Sequence, residues 1–388
     1  MLERHLWRDF VGVTSSVAVL GVGVGSTLPL TALALTARGL GPEVVGWMTA
    51  ATAVGGIGGT LAAPWATLRF GRRLVMLCCV AVAAASVMCL QYVDSLWGWG
   101  GLRALFGVSM APLFVIGEAW INSLPGDAVR GRVVAIYTTS FTLCQMLGPL
   151  LTDALAGRPQ HAFVICGAVF LLGLPGIGAT RDAARAADPA AAPAGRKNAV
   201  ASWWTIVRTA PAIIAGAALF AAFDNIILSF LPLFALDRAA SQSRALAAVM
   251  LVFVGDAALQ FAAGWLADHF GHARMHRLGG LALCVLLPLL PWMIAVPGLW
   301  EAYLLLLGGV AGSVYTLSMV SSGERFSGAA LLRASGLIAL TWSLASSVGA
   351  AATGVVMQYF GSGAMTAVLL LMALGFVAAT HAERPASL

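Results

Sequence analysis

Charge is what this sequence has least of. Only 10% of its 388 residues are Asp, Glu, Lys or Arg, while 60% are apolar. An ordinary soluble domain carries about 25% charged and 45–50% apolar residues, so a soluble core cannot hide this much apolar surface. Metal-ligand spacing is missing too. The six cysteines (Cys78, Cys79, Cys89, Cys144, Cys166 and Cys284) all fall in apolar stretches, without the Cys/His pattern of a zinc site or a pairing on outer loops, and read as small packing residues. The glycines at Gly21, Gly23, Gly25, Gly55, Gly56, Gly58 and Gly59 are followed by no phosphate-loop Lys and suit close helix approach instead. No basic face interleaved with aromatics accompanies the net charge of +6, which speaks against nucleic acid as a partner. With no nucleophile set or cofactor motif, neither an enzyme nor a cofactor is expected.

What the chain does have is a succession of long uncharged stretches, each about the 20 residues that cross a bilayer as a helix. Hydropathy and Gly/Pro breaks place twelve spans at roughly 9–36, 43–66, 74–93, 98–122, 132–156, 160–180, 206–236, 244–267, 276–296, 299–321, 330–358 and 362–380. The first is too long for the apolar part of a secretory signal and is read as a retained helix. With the N-terminus inside, seventeen of the twenty-two basic residues fall on the cytoplasmic side, as topology by positive charge requires. Both termini are therefore expected in the cytoplasm, and the net charge is a topological signal.

One hydrophilic interruption, RDAARAADPAAAPAGRKNAVASWW at 181–204, reads as a flexible cytoplasmic linker. It divides the chain into an N-terminal bundle at 1–180, a linker at 181–205 and a C-terminal bundle at 206–388. The halves also resemble each other. Arg69-Phe70-Gly71 matches His269-Phe270-Gly271 at an offset of 200, Arg132 and Gly148 match Arg333 and Gly349 at 201, and Leu28-Pro29-Leu30 matches Leu231-Pro232-Leu233 at 203. Two six-helix halves around a central site are the architecture of an alternating-access carrier.

The loop after the eighth span, Gly264-Trp265-Leu266-Ala267-Asp268-His269-Phe270-Gly271-His272, resembles the G-x-L-A-D-R-x-G-R-[KR] loop of the major facilitator superfamily. Its counterpart, Leu68-Arg69-Phe70-Gly71-Arg72-Arg73, keeps the later part of that pattern. Arg103-Ala104-Leu105-Phe106-Gly107 is similar to the family's R-x-x-Q-G element without the Gln. Gly148-Pro149 resembles the core of its antiporter-associated G-x-x-x-G-P element, with Cys144 in place of the earlier Gly. The segments around Glu118-Ala119-Trp120-Ile121-Asn122 and Gly323-Glu324-Arg325-Phe326 are similar to a poorly characterised bacterial branch of small exporters. The resemblance implies an all-α membrane protein with twelve helices in two pseudo-symmetric six-helix bundles. It also implies a cytoplasmic latch in which the loop acid pairs with arginines and a helix end. Here Asp268, with Gly264 and Gly271, fills that role in the second half. Leu68 replaces the acid in the first, so Glu118 is the expected substitute partner for Arg69 or Arg72 beside Gly71.

A charge near the bilayer centre costs about 2.5–3.5 kcal/mol on insertion scales, so its survival there needs a reason. Asp224 in FAAFDNIILSF and Asp256 in LVFVGDAALQF lie mid-span, and Asp256 stands twelve residues before Asp268, roughly 18 Å along a helix. The seventh and eighth helices of the superfamily border its central cavity, which would bring these acids towards one space. They are the first candidates for proton coupling or for binding a cationic group; the alternative for each is a structural pair with a neighbouring helix. Arg103, the one basic residue within a span, either meets an anion or reaches to the interface. Gln145 and Asn225 are polar candidates for a solute, though such groups also join helices. Trp97, Trp99, Trp292 and Trp300 are expected as interfacial anchors, and His269, His272 and His276 as solvated loop residues.

The leading expectation is a secondary transporter, monomeric in the lipid of the bacterial inner membrane, that moves a small organic solute by proton-coupled export. An organic-anion uptake carrier using Arg103 and a non-transporting sensor or scaffold are the alternatives.

Overall fold

The computed structural model describes residues 4–123, 130–180, 203–296, 298–326 and 328–382. The expected linker at 181–205 therefore lies, through residue 202, outside the described residues. The elements are α1 Arg4–Ala37, α2 Pro42–Phe70, α3 Arg72–Cys89, α4 Leu96–Ser123, α5 Arg130–Gln145, α6 Gly148–Ala154, a 3-10 turn Pro159–His161, α7 Ala162–Leu171, α8 Leu174–Ala179, α9 Trp203–Thr209, α10 Pro211–Asp237, α11 Gln242–Phe270, α12 His272–Met293, α13 Leu299–Arg325, α14 Gly328–Phe360 and α15 Ala364–Ala382. No strand occurs among the described residues. Among the described residues, eleven helical segments are long and apolar enough to cross a membrane. The interrupted pair α5 and α6 stands where the sequence places the remaining span.

Helices are what a bilayer permits, because each satisfies its own backbone donors and acceptors. The outward faces are apolar. On α12 the exposed positions include Leu278, Leu281, Val285, Leu289 and Trp292, and on α2 they include Trp47, Val54, Leu61 and Trp65. A soluble helix would put charge on such stripes; here hydrocarbon is the matching solvent.

The fifth crossing breaks between Gln145 and Gly148 for a local reason. Pro149 lacks the N–H that would continue the ladder, and at this point α1 presses in. A Cβ on Gly148 would overlap the Gly25 backbone, and a Cβ on Gly25 would overlap the Gln145 carbonyl. The Gly-Pro pair is thus a crossing point at which two backbones meet.

By internal contacts the chain forms two compact units, one of 1–31 with 51–196 and one of 32–50 with 197–388. The hairpin 32–50 belongs with the second unit, in which Thr49 and Ser229 hydroxyls lie 3.2 Å apart.

The internal repeat is carried into three dimensions. Helices α2 and α11 are both 29 residues long and end at Gly71 and Gly271, whose φ values of +83° and +92° favour glycine. In the first unit α2 crosses α4 where Cβ atoms on Gly55 and Gly107 would overlap the Ala104 and Thr52 carbonyls. In the second, α11 crosses α13 where Cβ atoms on Gly255 and Gly308 would overlap the Leu305 and Val252 carbonyls. These four pairs correspond at offsets of 200 and 201. Trp99 and Trp300 also correspond, and both are core residues at 0% and 1% exposure. Trp99 donates from Nε1 to the Val93 carbonyl at 2.7 Å, and Trp300 stacks on Tyr303. The expectation of interfacial anchors therefore fails for these two, whereas Trp97 and Trp292 are exposed.

Candidate substrate and coupling site

The glycine crossing of α11 with α13 seats an acid. Asp256 is 5% exposed, accepts a hydrogen bond from Gln260 Nε2 at 2.8 Å, and lies so close to Gly312 that a Cβ there would overlap Oδ1. The corresponding positions in the first unit are Gly56 and Ala111, where a Cβ on Gly56 would meet the Ala111 Cβ at an ordinary 3.8 Å. The second half has exchanged glycine over alanine for aspartate over glycine. The carboxylate has room because the position opposite it carries no methyl.

Asp224 is placed on α10 within electrostatic reach of Asp256. It is half-buried, and no described residue offers it a hydrogen bond or a salt bridge. Its neighbour Asn225 is differently used, donating from Nδ2 to Ser346 Oγ at 3.0 Å and to the Ala221 carbonyl at 3.1 Å. Ser346 also donates to the Ala221 carbonyl, so Asn225 holds α10 to α14.

One turn from Asp224 on the same helix face stands Phe220. Its ring stacks on Tyr315 of α13 with centroids 5.2 Å apart, and Trp342 of α14 stands at a steep angle to both, 5.9 Å from Phe220 and 5.2 Å from Tyr315. Phe220 and Phe223 are nearly buried, while Tyr315 and Trp342 are half-buried. Composition gave no sign of this cluster, because its members come from three spans.

The remaining candidates lie elsewhere. Arg103 is fully buried in the first unit, with its guanidinium 5.5 Å from the Phe106 ring and none of its three nitrogens hydrogen-bonded. It does not reach outward to an interface. Gln145 is 6% exposed at the break in the fifth crossing. Neither is brought to the acids within a unit.

At the helix ends, Arg69 packs on Phe70 and Arg72 lies 4.6 Å from the Trp120 ring of α4, two residues from Glu118. Arg73 donates to the Gly178 carbonyl. Gly264 has open space where a Cβ would go, so nothing nearby demands glycine there. Of the histidines expected to be solvated, His269 is exposed, whereas His272 and His276 are not. His272 bridges Asp268, at 3.3 Å, and Glu324 of α13, at 3.2 Å. His276 is 3% exposed, lies 3.0 Å from Ser318 Oγ and 3.1 Å from the Val314 carbonyl, and packs on Phe376. His276 falls one turn inside α12, and spacing from His272 was the available signal.

Comparison with known proteins decides the family. The Major Facilitator Superfamily profile matches residues 13–254 and 224–387, which together run through nearly the whole chain. The chain belongs to the major facilitator superfamily. Superfamily members are membrane transporters, and the multi-pass helical fold described above is theirs. YcaD of Escherichia fergusonii, an uncharacterised MFS-type transporter, is 22% identical over 361 residues, covering 91% of this chain and 90% of that one. YfkF of Bacillus subtilis, likewise uncharacterised, is 25% identical over 158 residues, and the match spans 40% of either chain. Among solved structures, a D-xylose–proton symporter superposes with a TM-score of 0.77 at 16% identity, covering 97% of both chains. A bacterial homologue of the human lysosomal transporter Spinster superposes at 0.79 with 14% identity and 98% coverage of both. At those identities the superpositions speak for the superfamily fold and leave the cargo to the residues.

Proposed function

We propose that this chain is a proton-coupled secondary carrier that exports a small organic solute across the bacterial inner membrane by alternating access, with both termini in the cytoplasm. The observation that carries this is Asp224, an acid at mid-span that, among the described residues, has no hydrogen-bond or ion-pair partner and has Asp256 as its electrostatic neighbour. A structural ion pair would explain a charge at that depth; its absence leaves a group available to a proton or a solute. Asp256 is seated rather than free, against Gly312, where the corresponding position of the other half carries the methyl of Ala111. A sensor or scaffold has no need of either acid.

The moving bodies in this reading are the bundles 1–180 and 206–388, joined by 181–205, and the carrier works as a monomer in lipid. The latch is asymmetric: Asp268 and Glu324 around His272 in the second half, and Arg69 and Arg72 at the Glu118 end of α4 in the first. The antiporter-like Gly148-Pro149 favours export. Organic-anion uptake through Arg103 is the weaker reading, since a fully buried guanidinium meets no solute without rearrangement.

A thermal-shift screen finds solutes that bind the folded chain. Their accumulation in proteoliposomes under an imposed pH difference is then measured for wild type, D224N and D256N. Accumulation by the wild type and its loss in the variants is expected. Undiminished accumulation in both variants would remove the coupling assignment, and failure of the wild type to exchange any bound solute would remove the carrier reading.

A further inference from the structure

The geometry points to a site for an organic ammonium ion in the second unit, formed by the Asp224 and Asp256 carboxylates above a floor of Phe220, Tyr315 and Trp342. It deepens the carrier reading, on which it rests, by naming the substrate's chemical class.

Three helices place the acids and the rings in adjacent layers. Phe220 lies four residues from Asp224 towards the start of α10. Tyr315 lies three residues from Gly312, on which Asp256 rests, towards the end of α13. Trp342 lies four residues from Ser346, which is bonded to Asn225, towards the start of α14. These three helix ends come together in an apolar cluster of Ala210, Ile213, Ala217 and Ile338, with Met319, Phe326 and Tyr315 packed on it. The rings therefore stand one turn from the acid layer along each helix, towards the ends where this cluster packs. Phe220 and Tyr315 form one wall, and Trp342, at 64° and 71° to them, forms a second.

Among the described residues of the second unit, no basic side chain is bonded to either acid. Every Arg of 206–388 lies near a helix end or in a loop, and no described residue gives Asp224 a hydrogen bond or an ion pair. Two carboxylates in electrostatic reach of one another repel when both are ionised, and a bound positive charge would relieve that repulsion. No group of three or more His, Cys, Asp or Glu suited to a metal ion exists among the described residues. Aromatic faces beside a carboxylate instead suit a weakly hydrated ammonium, whose charge the rings attract and whose carbon groups they cover. Its head would meet Asp224 and its body would lie in the Trp342 corner.

The test is equilibrium binding of radiolabelled benzyltrimethylammonium to the full chain in nanodiscs, with benzenesulfonate as the anion of similar size. Saturable binding of the cation and none of the anion is expected. D224N should weaken binding about tenfold, and W342A about fivefold, while W342F stays within about twofold because it keeps an aromatic face. Helical content by circular dichroism confirms that each variant is folded. A wild type that binds the cation no better than the anion overturns the site, as does unchanged binding in folded D224N and W342A. A chain that exchanges some other solute across liposomes yet ignores benzyltrimethylammonium loses the substrate class and keeps the carrier reading; a chain that does neither loses both.

Discussion

Adding a single methyl at Gly312 tests whether the acid at 256 is held by a vacated position in the helix crossing. In G312A the new Cβ overlaps Asp256 Oδ1, so the carboxylate must turn away and release Gln260 Nε2. Overpacking of this kind costs about 1–3 kcal/mol, and losing a hydrogen bond to a charged group costs about 1.5–3 kcal/mol if it is not remade. Replacing a helical glycine returns about 0.5–1 kcal/mol. Together these terms give a net destabilisation of about 1.5–5.5 kcal/mol when the bond is not remade. The matched control is G56A at the equivalent position of the first half, where the Cβ meets Ala111 at 3.8 Å; only the helical gain remains, about 0.5–1 kcal/mol of stabilisation. The double variant D256G/G312A recreates the first-half pairing of glycine over alanine, and its cycle should show a favourable coupling of about 1–3 kcal/mol between the two sites. Denaturation in dodecylmaltoside micelles, followed by circular dichroism, measures all four. If G312A is as stable as G56A, or if the double variant shows no coupling, the carboxylate is not seated on Gly312 and the account of how the acid is accommodated is wrong.

Other sites give sharper contrasts. G148A should fail to accumulate as folded protein, because the added Cβ has the Gly25 backbone in its way, whereas G264A should express and melt as wild type does; equal behaviour of the two would deny the crossing. R103M should be at least as stable as the wild type, since it removes a buried guanidinium without hydrogen bonds and such charges cost several kcal/mol when uncompensated. A marked drop in its melting temperature would reveal a partner for the arginine. H276A should lose about 1–3 kcal/mol, from two hydrogen bonds at about 0.5–1.5 kcal/mol each, although Ser318 Oγ keeps its own bond to the Val314 carbonyl, while H272A, at the more exposed Asp268 and Glu324, should lose about 1 kcal/mol or less; the two melting curves check the order.

Much of the fold was legible because the bilayer imposes its own grammar. Span length and the offset near 200 residues required only one-dimensional information, and the paired ends at Gly71 and Gly271 follow the same offset in three dimensions. What sequence could not give was the direction in which each side chain turns. Trp99 and Trp300 sit at span edges where anchors belong, yet fold inward, because each has a buried aromatic neighbour to pack on. Asn225 and Asp224 are adjacent in sequence, but a helix sends them to different faces, one into a bond with α14 and the other to open carboxylate chemistry. The exchange at Gly312 was written in the repeat all along, as Gly56 and Ala111 against Asp256 and Gly312. Its meaning depended on knowing that the two helices touch there.

Proton movement itself tests the central assignment most directly. Proteoliposomes with pyranine inside report the internal pH when a bound solute is added outside. The account predicts a solute-evoked pH change with the wild type and none with D224N or D256N in equally folded preparations. The same pH change in both variants would contradict it.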